Sequence, residues 1–225
     1  MSMNKMFSII IPVYNGAGVV ERALDSIYSQ GLLQEELEVI CVDDCSPTME
    51  TYEALNNYMY AGRHPENLLV IRHEVNKRQG GARNTALQYA TGKWILYLDH
   101  DDMFVAGALL QLRDIIQSQD DCDIVMFDFC RGYFEESSKT KIRITDAHIY
   151  ANSGLKSEEI SGFDFIQKYP TPWAPWCYAY KRAFLLETQL RFVEGARFED
   201  TDYTIHATLL ANRIKFIPID LYIYI

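Results

Sequence analysis

The sequence lacks a long apolar run, because no stretch approaches the roughly 18 residues that a membrane-spanning helix needs. At the N-terminus only Phe7 to Ile11 is apolar before Pro12, which is too short for the core of a secretory signal peptide. Cysteine is sparse, with five residues and no CxxC pair, so a disulfide framework is not expected. We therefore expect a reduced, cytoplasmic protein.

Basic residues are also scarce. The chain has 21 Lys plus Arg against 31 Asp plus Glu, which gives a formal net charge of −10. This balance argues against nucleic acid as a partner, because binding its backbone takes clustered Lys and Arg. A small anionic ligand stays compatible if a cation lies between it and the carboxylates, and the acidity could equally serve solubility alone.

The first half of the chain alternates between strand-like and helix-like segments. Predicted strands are Phe7–Tyr14, Leu37–Val42, Leu68–Ile71, Lys93–Leu98 and Asp123–Phe127. Predicted helices are Gly18–Gln30, Thr48–Tyr60, Gly81–Ala90 and Val105–Gln119. This alternation predicts an α/β fold with a mostly parallel, Rossmann-like central sheet flanked by helices.

The alternation stops after about Phe129. Residues 131–161 are polar and predict a loop or an irregular hairpin, whereas helices are expected from Lys181 and near Glu199. The chain ends on two strand-like segments, Ile214–Ile217 and Leu221–Ile225. Because the second of these ends the sequence in mid-strand, we expect the chain to be truncated at its C-terminus.

Polar clusters follow three of the predicted strands: Tyr14-Asn15, Asp43-Asp44 and Asp99-His100-Asp101-Asp102. In open parallel sheets, ligands bind outside the carboxyl ends of the strands. A single cluster of this kind can be a turn or a helix N-cap, and Asp102 could cap the helix that follows it. Several at successive strand ends predict one polar rim.

The carboxylates of this rim need partners. Two like charges about 4 Å apart repel by roughly 4 kcal/mol at an effective dielectric constant of 20. Asp99 and Asp101 therefore require a Lys or Arg, or a hard divalent cation such as Mg²⁺ or Mn²⁺ with substrate phosphates completing its shell. His100 is interpreted as a spacer, because alternation in an extended segment points it the other way.

Five motifs in a fixed order make the sequence recognisable: Ile11-Pro12-Val13-Tyr14-Asn15, Val42-Asp43-Asp44-Cys45-Ser46, Gly80-Gly81-Ala82-Arg83-Asn84, Leu98-Asp99-His100-Asp101-Asp102 and Phe198-Glu199-Asp200. Together they resemble the family 2 glycosyltransferases, and in particular the bacterial polysaccharide-building members. The resemblance implies a GT-A fold and metal-dependent, inverting transfer of a hexosyl or hexosaminyl group. The donor would be a nucleotide-diphospho-sugar, most simply a UDP-sugar, and the acceptor a hydroxyl group of a cell-surface glycan or lipid-linked molecule.

The resemblance also divides the chain into two halves of one GT-A domain. Residues 1–128 would bind the nucleotide-sugar and residues 129–225 the acceptor. Attachment to the inner face of the membrane and formation of a homodimer are left open. The alternative from a different class is a non-catalytic scaffold that keeps this fold within an envelope-glycan assembly.

Donor-binding residues carried over from the resemblance are Pro12, Tyr14, Asn15, Asp43, Asp44, Arg83 and Asp99. Tyr14 would lie against the base, and Asp44 with Asp43 beside it would accept the N3–H of uracil. Arg83 would contact the nucleotide or support the acidic rim. Asp99 and Asp101 match the DxD motif of the family, which would hold Mn²⁺ or Mg²⁺ as cofactor.

Asp200 matches the general base of the family, which must come within about 2.6–3.2 Å of the acceptor hydroxyl. Glu199, the adjacent acidic residue, points roughly 100° away on a helix, so we expect it to assist by binding the acceptor. Both residues could instead merely favour a helix N-terminus. Trp176 is a candidate acceptor platform, although aromatic residues of this kind more often pack in a core. Arg78 and Cys177-Tyr178 depart from the family pattern.

Overall fold

The computed structural model describes residues 5–61, 66–117, 121–135, 141–152, 154–169 and 173–225. Its strands are β1 (Phe7–Val13), β2 (Leu37–Asp43), β3 (Leu68–Arg72), β4 (Trp94–Tyr97), β5 (Met103–Phe104), β6 (Ile124–Phe134), β7 (Ile142–Asp146), β8 (Glu159–Ile160), β9 (Tyr178–Lys181) and β10 (Ile214–Tyr224). Its helices are α1 (Val20–Tyr28), α2 (Glu50–Tyr60), α3 (Arg78–Tyr89), α4 (Ala108–Ile116), α5 (Ile149–Asn152), α6 (Gly162–Lys168), α7 (Arg182–Thr188) and α8 (Glu199–Leu210).

These strands form one mixed sheet in the order β3-β2-β1-β4-β9-β6-β10-β5, with β7 added to β6 and β8 to β10. The first four strands in this order run parallel, as the strand–helix alternation predicts. Beyond them β9 runs antiparallel to both β4 and β6, whereas β6 and β10 are parallel. The α/β class is confirmed, and the parallel arrangement is confined to these two regions.

The predicted core of the first half is the observed one. Every residue of β1 is buried, which an apolar run covered on both faces requires. Helix α1 buries Val20, Ala23, Leu24 and Ile27, the positions that recur at helical spacing. Gly31 follows with a φ of 80°, a left-handed conformation that glycine adopts without steric cost.

The second half contains the hairpin that the polar segment predicts. Strand β6 continues to Phe134 and pairs antiparallel with β7. Strand β10 joins the two predicted C-terminal strands into one, with irregular register between Ile217 and Tyr222. The division at residue 128 falls inside β6, and the two functional halves stay a prediction.

Two of the predicted polar clusters are brought side by side by the strand register. Strands β1 and β2 are parallel, with Val13 opposite Asp43, so Tyr14 and Asp44 follow adjacent strand ends. Strand β4 pairs with the other edge of β1 and ends at Tyr97, shortly before Asp99. The polar rim therefore lies at one edge of the sheet. Among the described residues, no helix has both the length and the apolar character that crossing a bilayer takes.

Candidate active site

Arg83 lies at the centre of the acidic rim. Its side chain is fully buried in α3, and its guanidinium donates to Asp99 Oδ1 over 2.7 Å and to Asp200 Oδ1. Asp99 follows β4 and Asp200 lies in the first turn of α8, so one cation joins the predicted metal motif to the predicted base. Because the guanidinium faces these carboxylates, Arg83 supports the rim, the second of its two predicted roles.

Glu199 belongs to the buried side of this cluster. Its carboxylate is 3.8 Å from Arg83 Nη1, and its side chain is only 7% exposed. A Cβ on Gly80 would lie 3.0 Å from Glu199 Cγ and 2.9 Å from Phe192 Cβ, so glycine permits α3 to approach α8 here. The prediction that Glu199 binds the acceptor is not supported, because its side chain points into the protein.

The pKa of Asp200 is raised to about 6. Burial is the main cause, and the negative charges of Asp99 and Glu199 add to it, whereas Arg83 opposes the rise. Oδ2 of Asp200 accepts no hydrogen bond within the described ranges, and 20% of the side chain is exposed. A carboxyl group with one oxygen fixed, one oxygen free and a pKa near neutrality has the properties of a general base.

A cavity of about 430 Å³ opens beside this cluster. It is lined by Pro12, Val13, Tyr14, Asp44, Asn76, Arg78, Gln79 and His100. Tyr14 is 47% exposed, while Asp44 is buried and directly follows β2. The volume lies within the range of small-molecule binding sites. Three predicted nucleotide-binding residues, Pro12, Tyr14 and Asp44, thus share one pocket.

Asp44 is held in one orientation. Its Oδ1 lies 2.7 Å from Nδ1 of His73 and accepts the backbone N–H of Lys77 over 2.8 Å. The other ring nitrogen of His73 lies 2.8 Å from Thr85 Oγ1, which fixes the imidazole. Oδ2 of Asp44 is buried and has no hydrogen-bond partner in the described part of the chain. Asp44 lines the cavity, and an unpartnered carboxylate oxygen suits an N–H donor of a ligand.

The hydrogen-bond partners of Asp43 and Asn15 differ from those of Asp44. Asp43 is fully buried; Oδ1 accepts from the backbone and hydroxyl of Ser46, and Oδ2 pairs with Arg72 at 3.0 Å. The prediction that Asp43 helps to bind the nucleotide base is not supported, because both of its carboxylate oxygens bind protein groups. Asn15 does not line the cavity, and its backbone N–H donates to Ser46 Oγ over 2.9 Å.

The residues of the predicted metal motif fit a hard divalent cation. Asp101 is exposed, and no hydrogen bond or ion pair joins it to another described residue. Asp99 uses Oδ1 for Arg83, which leaves Oδ2 for a ligand. Two carboxylates and no sulfur form the oxygen set that Mg²⁺ and Mn²⁺ prefer. His100 between them lines the cavity, so the cavity and the DxD segment adjoin.

A family model described as Glycosyl transferase family 2 matches residues 8–184. This range contains the cavity, Arg83 and the DxD segment. The chain belongs to glycosyl transferase family 2. The GT-A fold implied by the motif resemblance is confirmed by a crystal structure of Staphylococcus aureus TarS, which matches with a TM-score of 0.76 and 26% sequence identity. That match covers 97% of this chain and 60% of the crystallised one.

Curated family 2 relatives extend over the same region. EpsJ of Bacillus subtilis, described as an uncharacterized glycosyltransferase, is 31% identical over 224 residues, or 99% of this chain. TarS, a poly(ribitol-phosphate) beta-N-acetylglucosaminyltransferase of S. aureus, is 28% identical over 227 residues, or 97% of this chain. The chain spans 61% of the length of EpsJ and 35% of the length of TarS.

The predicted acceptor platform of this family 2 domain does not reach the surface. Trp176 is 4% exposed, and its ring stacks on Tyr222 with centroids 4.2 Å apart and packs edge-on against Phe129. The assignment of Trp176 to acceptor binding is not supported, because a buried face cannot stack on a sugar. Core packing, the alternative weighed for this aromatic segment, agrees with the structure.

Several residues at the site were missed from the sequence. Asn76 and Gln79 line the cavity and follow β3, so the strand-end rule applied to that strand would have found them. Arg78, which departs from the family pattern, lines the cavity beside them. Arg78 has a φ of 62°, a left-handed conformation that glycine adopts without steric cost. In the sequence, Phe198 stands out only as part of the Phe198-Glu199-Asp200 motif. It precedes α8 with a φ of 62° and is 86% exposed, an unusual combination for a bulky aromatic residue.

A separate group of potential metal ligands lies on β6, β10 and the segment before α5. Single ligand atoms of Asp128, His148 and Asp220 lie within 4.8 Å of one another. Asp128 already accepts the backbone N–H groups of Tyr150 and Ala151, and Asp220 accepts that of His148. These hydrogen bonds hold the first residues of α5, so the cluster has a structural role without a metal. It therefore provides a control for metal experiments.

Proposed function

We propose that this chain carries the catalytic region of an inverting glycosyltransferase that moves a sugar from UDP to a hydroxyl group of a bacterial cell-envelope polymer. One observation carries the proposal: Arg83 joins Asp99 of the DxD segment to Asp200, which leaves one oxygen of each carboxylate free. An inverting transfer needs a cation-binding carboxylate at the leaving group and a separate carboxylate for the incoming hydroxyl. This cluster supplies both at one cleft.

UDP is the nucleotide that the cavity suits best. Asp44 and Tyr14 both line the cavity, and Oδ2 of Asp44 has no described partner. In the proposed complex this oxygen would accept the N3–H of uracil, and the ring of Tyr14 would lie against the base. Arg78 adds a positive charge to the cavity wall, which offsets the acidic rim for an anionic donor. The relative TarS has been crystallised in complex with UDP, and its name specifies N-acetylglucosamine as the transferred group.

Asp200 is the base in the proposed reaction. Its free Oδ2 takes the proton of the acceptor hydroxyl as that oxygen attacks the anomeric carbon. The bond from the anomeric carbon to the diphosphate breaks on the opposite face, and its electron pair leaves with UDP. Arg83 keeps Oδ1 of Asp200 in place during this step, so the free oxygen keeps its direction.

Asp99 and Asp101 would hold Mn²⁺ or Mg²⁺, which supplies neutralisation of the charge that develops on the departing diphosphate. Arg83 binds one oxygen of the Asp99 carboxylate, while the side chain of Asp101 remains exposed. The exposed carboxylate is thus available to a cation that arrives with the nucleotide.

Phe198 and the outer side of α8 are proposed to bind the acceptor. A shallow depression next to Asp200 is lined by Phe198, Thr201, Asp202, Ile205 and His206. Sugar rings and polyols present C–H faces that pack on aromatic rings and hydroxyl groups that hydrogen-bond to carboxylates and imidazoles. The name of TarS specifies a poly(ribitol-phosphate), which presents C–H faces and hydroxyl groups of this kind. We therefore choose a ribitol-phosphate polymer as the acceptor to test.

A screen of UDP-, GDP- and dTDP-sugars with Mn²⁺ or Mg²⁺ tests the proposal. We expect hydrolysis of a UDP-sugar in the presence of metal, and faster turnover when a ribitol-phosphate polymer is added. UDP binding that does not depend on metal, together with no turnover of any donor, would instead support the non-catalytic scaffold.

A further inference from the structure

A chain of hydrogen bonds ties the last strand of the sheet to the DxD segment. The hydroxyl of Tyr222 in β10 accepts the backbone N–H of Asp99 over 3.2 Å and donates to Oδ2 of Asp102 over 2.6 Å. Oδ1 of Asp102 accepts the backbone N–H of Ile225 over 2.9 Å. We propose that Tyr222 is a positioning residue, whose hydroxyl sets the conformation of residues 99–102 in which Asp99 and Asp101 can share a divalent cation. This inference rests on the proposed function.

The hydroxyl can serve this purpose because the ring of Tyr222 is buried and packed between other aromatic rings. Tyr222 is fully buried, with Trp176 stacked on one face at an interplanar angle of 12° and Phe104 packed edge-on at 6.1 Å. Aromatic contacts of this kind add to the stabilisation from burial alone. Trp176, which does not reach the acceptor side, thereby acts on the donor side by holding Tyr222.

The DxD segment needs such a support because it has left the sheet. The N–H of Leu98 still donates to Ile10, and beyond it Asp99 and Asp102 form a turn with an N–H to carbonyl distance of 3.1 Å. Tyr222 holds the backbone at Asp99 and the side chain at Asp102. Asp101, which lies between these two anchored residues, has its backbone restrained from both sides although its side chain is exposed.

The competing explanation is that Tyr222 only satisfies a buried carboxyl group. Asp102 is 3% exposed and would be costly to leave without a hydrogen-bond donor. Under that explanation, removal of the hydroxyl destabilises the fold and does not change how the folded protein responds to metal. Under our proposal the folded protein itself binds UDP less tightly when Mn²⁺ is present. The two differ in a binding measurement that needs no turnover.

Tyr222→Phe is the direct test, because it keeps the ring and its packing and removes the hydroxyl alone. Isothermal titration of UDP, with Mn²⁺ or with EDTA, gives the gain in affinity that depends on metal. We expect this gain to fall about tenfold, the scale of one hydrogen bond, while the affinity in EDTA stays at the wild-type value. Mn²⁺ binding can also be measured from the loss of the electron-paramagnetic-resonance signal of free Mn²⁺. This binding should weaken in parallel.

Tyr180→Phe is the matched control. Tyr180 is a fully buried tyrosine of β9 whose hydroxyl has no partner among the residues that the structure describes. This variant should keep the wild-type gain. A Tyr222→Phe protein that is folded, with a lowered melting temperature but the full metal-dependent gain, would overturn the proposal. A wild-type protein without any such gain would instead contradict the proposed function itself.

Trp176→Leu covers the case in which Tyr222→Phe does not fold. It leaves the hydroxyl of Tyr222 in place and removes the ring that holds it. We expect a reduced metal-dependent gain, and Trp176→Phe, which restores a ring, should recover most of it. A folded Trp176→Leu protein with the complete gain would count against the positioning role.

Discussion

Asp200 forms an ion pair with Arg83, which lies 117 residues earlier in the chain. The same guanidinium also binds Asp99, so this acidic cluster has one buried positive charge at its centre. Burial alone would lower the pKa of Arg83, but the neighbouring carboxylates Asp99 and Asp200 reverse that effect and raise it. The site and the stability of the fold therefore depend on the same residue.

Replacement of Arg83 by alanine should destabilise the protein strongly. Loss of one partner of a buried ion pair costs about 3–5 kcal/mol, because it leaves uncompensated charge. We expect the free energy of unfolding in urea to fall by about this amount. The deficit should be smaller at pH 5 than at pH 8, because burial raises the pKa of Asp200 to about 6, so protonation neutralises this unpaired carboxylate at pH 5.

Arg113→Ala is the control for this prediction. Arg113 pairs with Glu36 near the surface, at 3.3 Å, and exposed pairs contribute at most about 1 kcal/mol. Equal losses of stability in the two variants would mean that the buried cluster is not the source of the effect.

Replacement of Asp44 by asparagine should weaken UDP binding. A hydrogen bond to a charged group contributes about 1.5–3 kcal/mol, so the dissociation constant should rise by about 10- to 100-fold. Discrimination between UDP and CDP should also decrease, because the amide of asparagine can donate to the N3 of cytosine. Calorimetric titration with both nucleotides measures the two effects.

Asp43→Asn distinguishes recognition of the uracil base from stabilisation of the surrounding structure. Among the described residues, the side chain of Asp43 forms hydrogen bonds only with Ser46 and Arg72, so its replacement should lower the melting temperature and leave the affinity for UDP unchanged. A larger loss of UDP affinity in Asp43→Asn than in Asp44→Asn would reverse these assignments.

Replacement of Asp101 by alanine should abolish the contribution of metal to UDP binding. The exposed carboxylate has no described protein partner, so its loss should change the melting temperature little. Titrations of UDP in Mn²⁺ and in EDTA should then give the same affinity. His148→Ala alters the other group of potential ligands and should keep the full metal dependence, which excludes that group as the source.

The parts of the fold that the sequence predicts are those set by local patterns. The apolar run of β1 and the helical spacing of Val20, Ala23 and Leu24 determine burial without reference to distant residues. Strand β9 could not be placed this way, because it enters the sheet between β4 and β6 by long-range antiparallel pairing. The mixed second half of the sheet follows from that pairing.

The same distinction applies to the candidate site. Asp44 and Asp99 were predicted because each follows a strand, and parallel strands of one sheet end at one edge. The hydrogen bonds that orient them were not, since His73 reaches Asp44 and Tyr222 reaches Asp99 only after the chain has folded. Burial of Trp176 likewise depends on the position of β10, which no local pattern fixes.

Replacement of Phe198 by glycine should affect the acceptor and not the donor. An aromatic residue at a φ of 62° is strained by about 1–2 kcal/mol, and glycine relieves this strain at some cost in chain entropy. We therefore expect little change in stability, unaltered hydrolysis of the UDP-sugar and slower transfer to the polymer acceptor. Slower hydrolysis in step with slower transfer would place Phe198 outside acceptor binding.

Replacement of Asp200 by asparagine should stop transfer and spare UDP binding. General base catalysis contributes about 10²- to 10⁴-fold, so turnover should fall by that factor while the calorimetric affinity for UDP is kept. The wild-type pH profile gives an independent check. Because the pKa of Asp200 is raised to about 6 and the base acts when deprotonated, kcat/KM should rise with pH up to about 6 and level off above it. This acidic limb should be absent from the residual activity of Asp200→Asn. A variant that keeps both the wild-type turnover and the acidic limb would assign the proton transfer to another group.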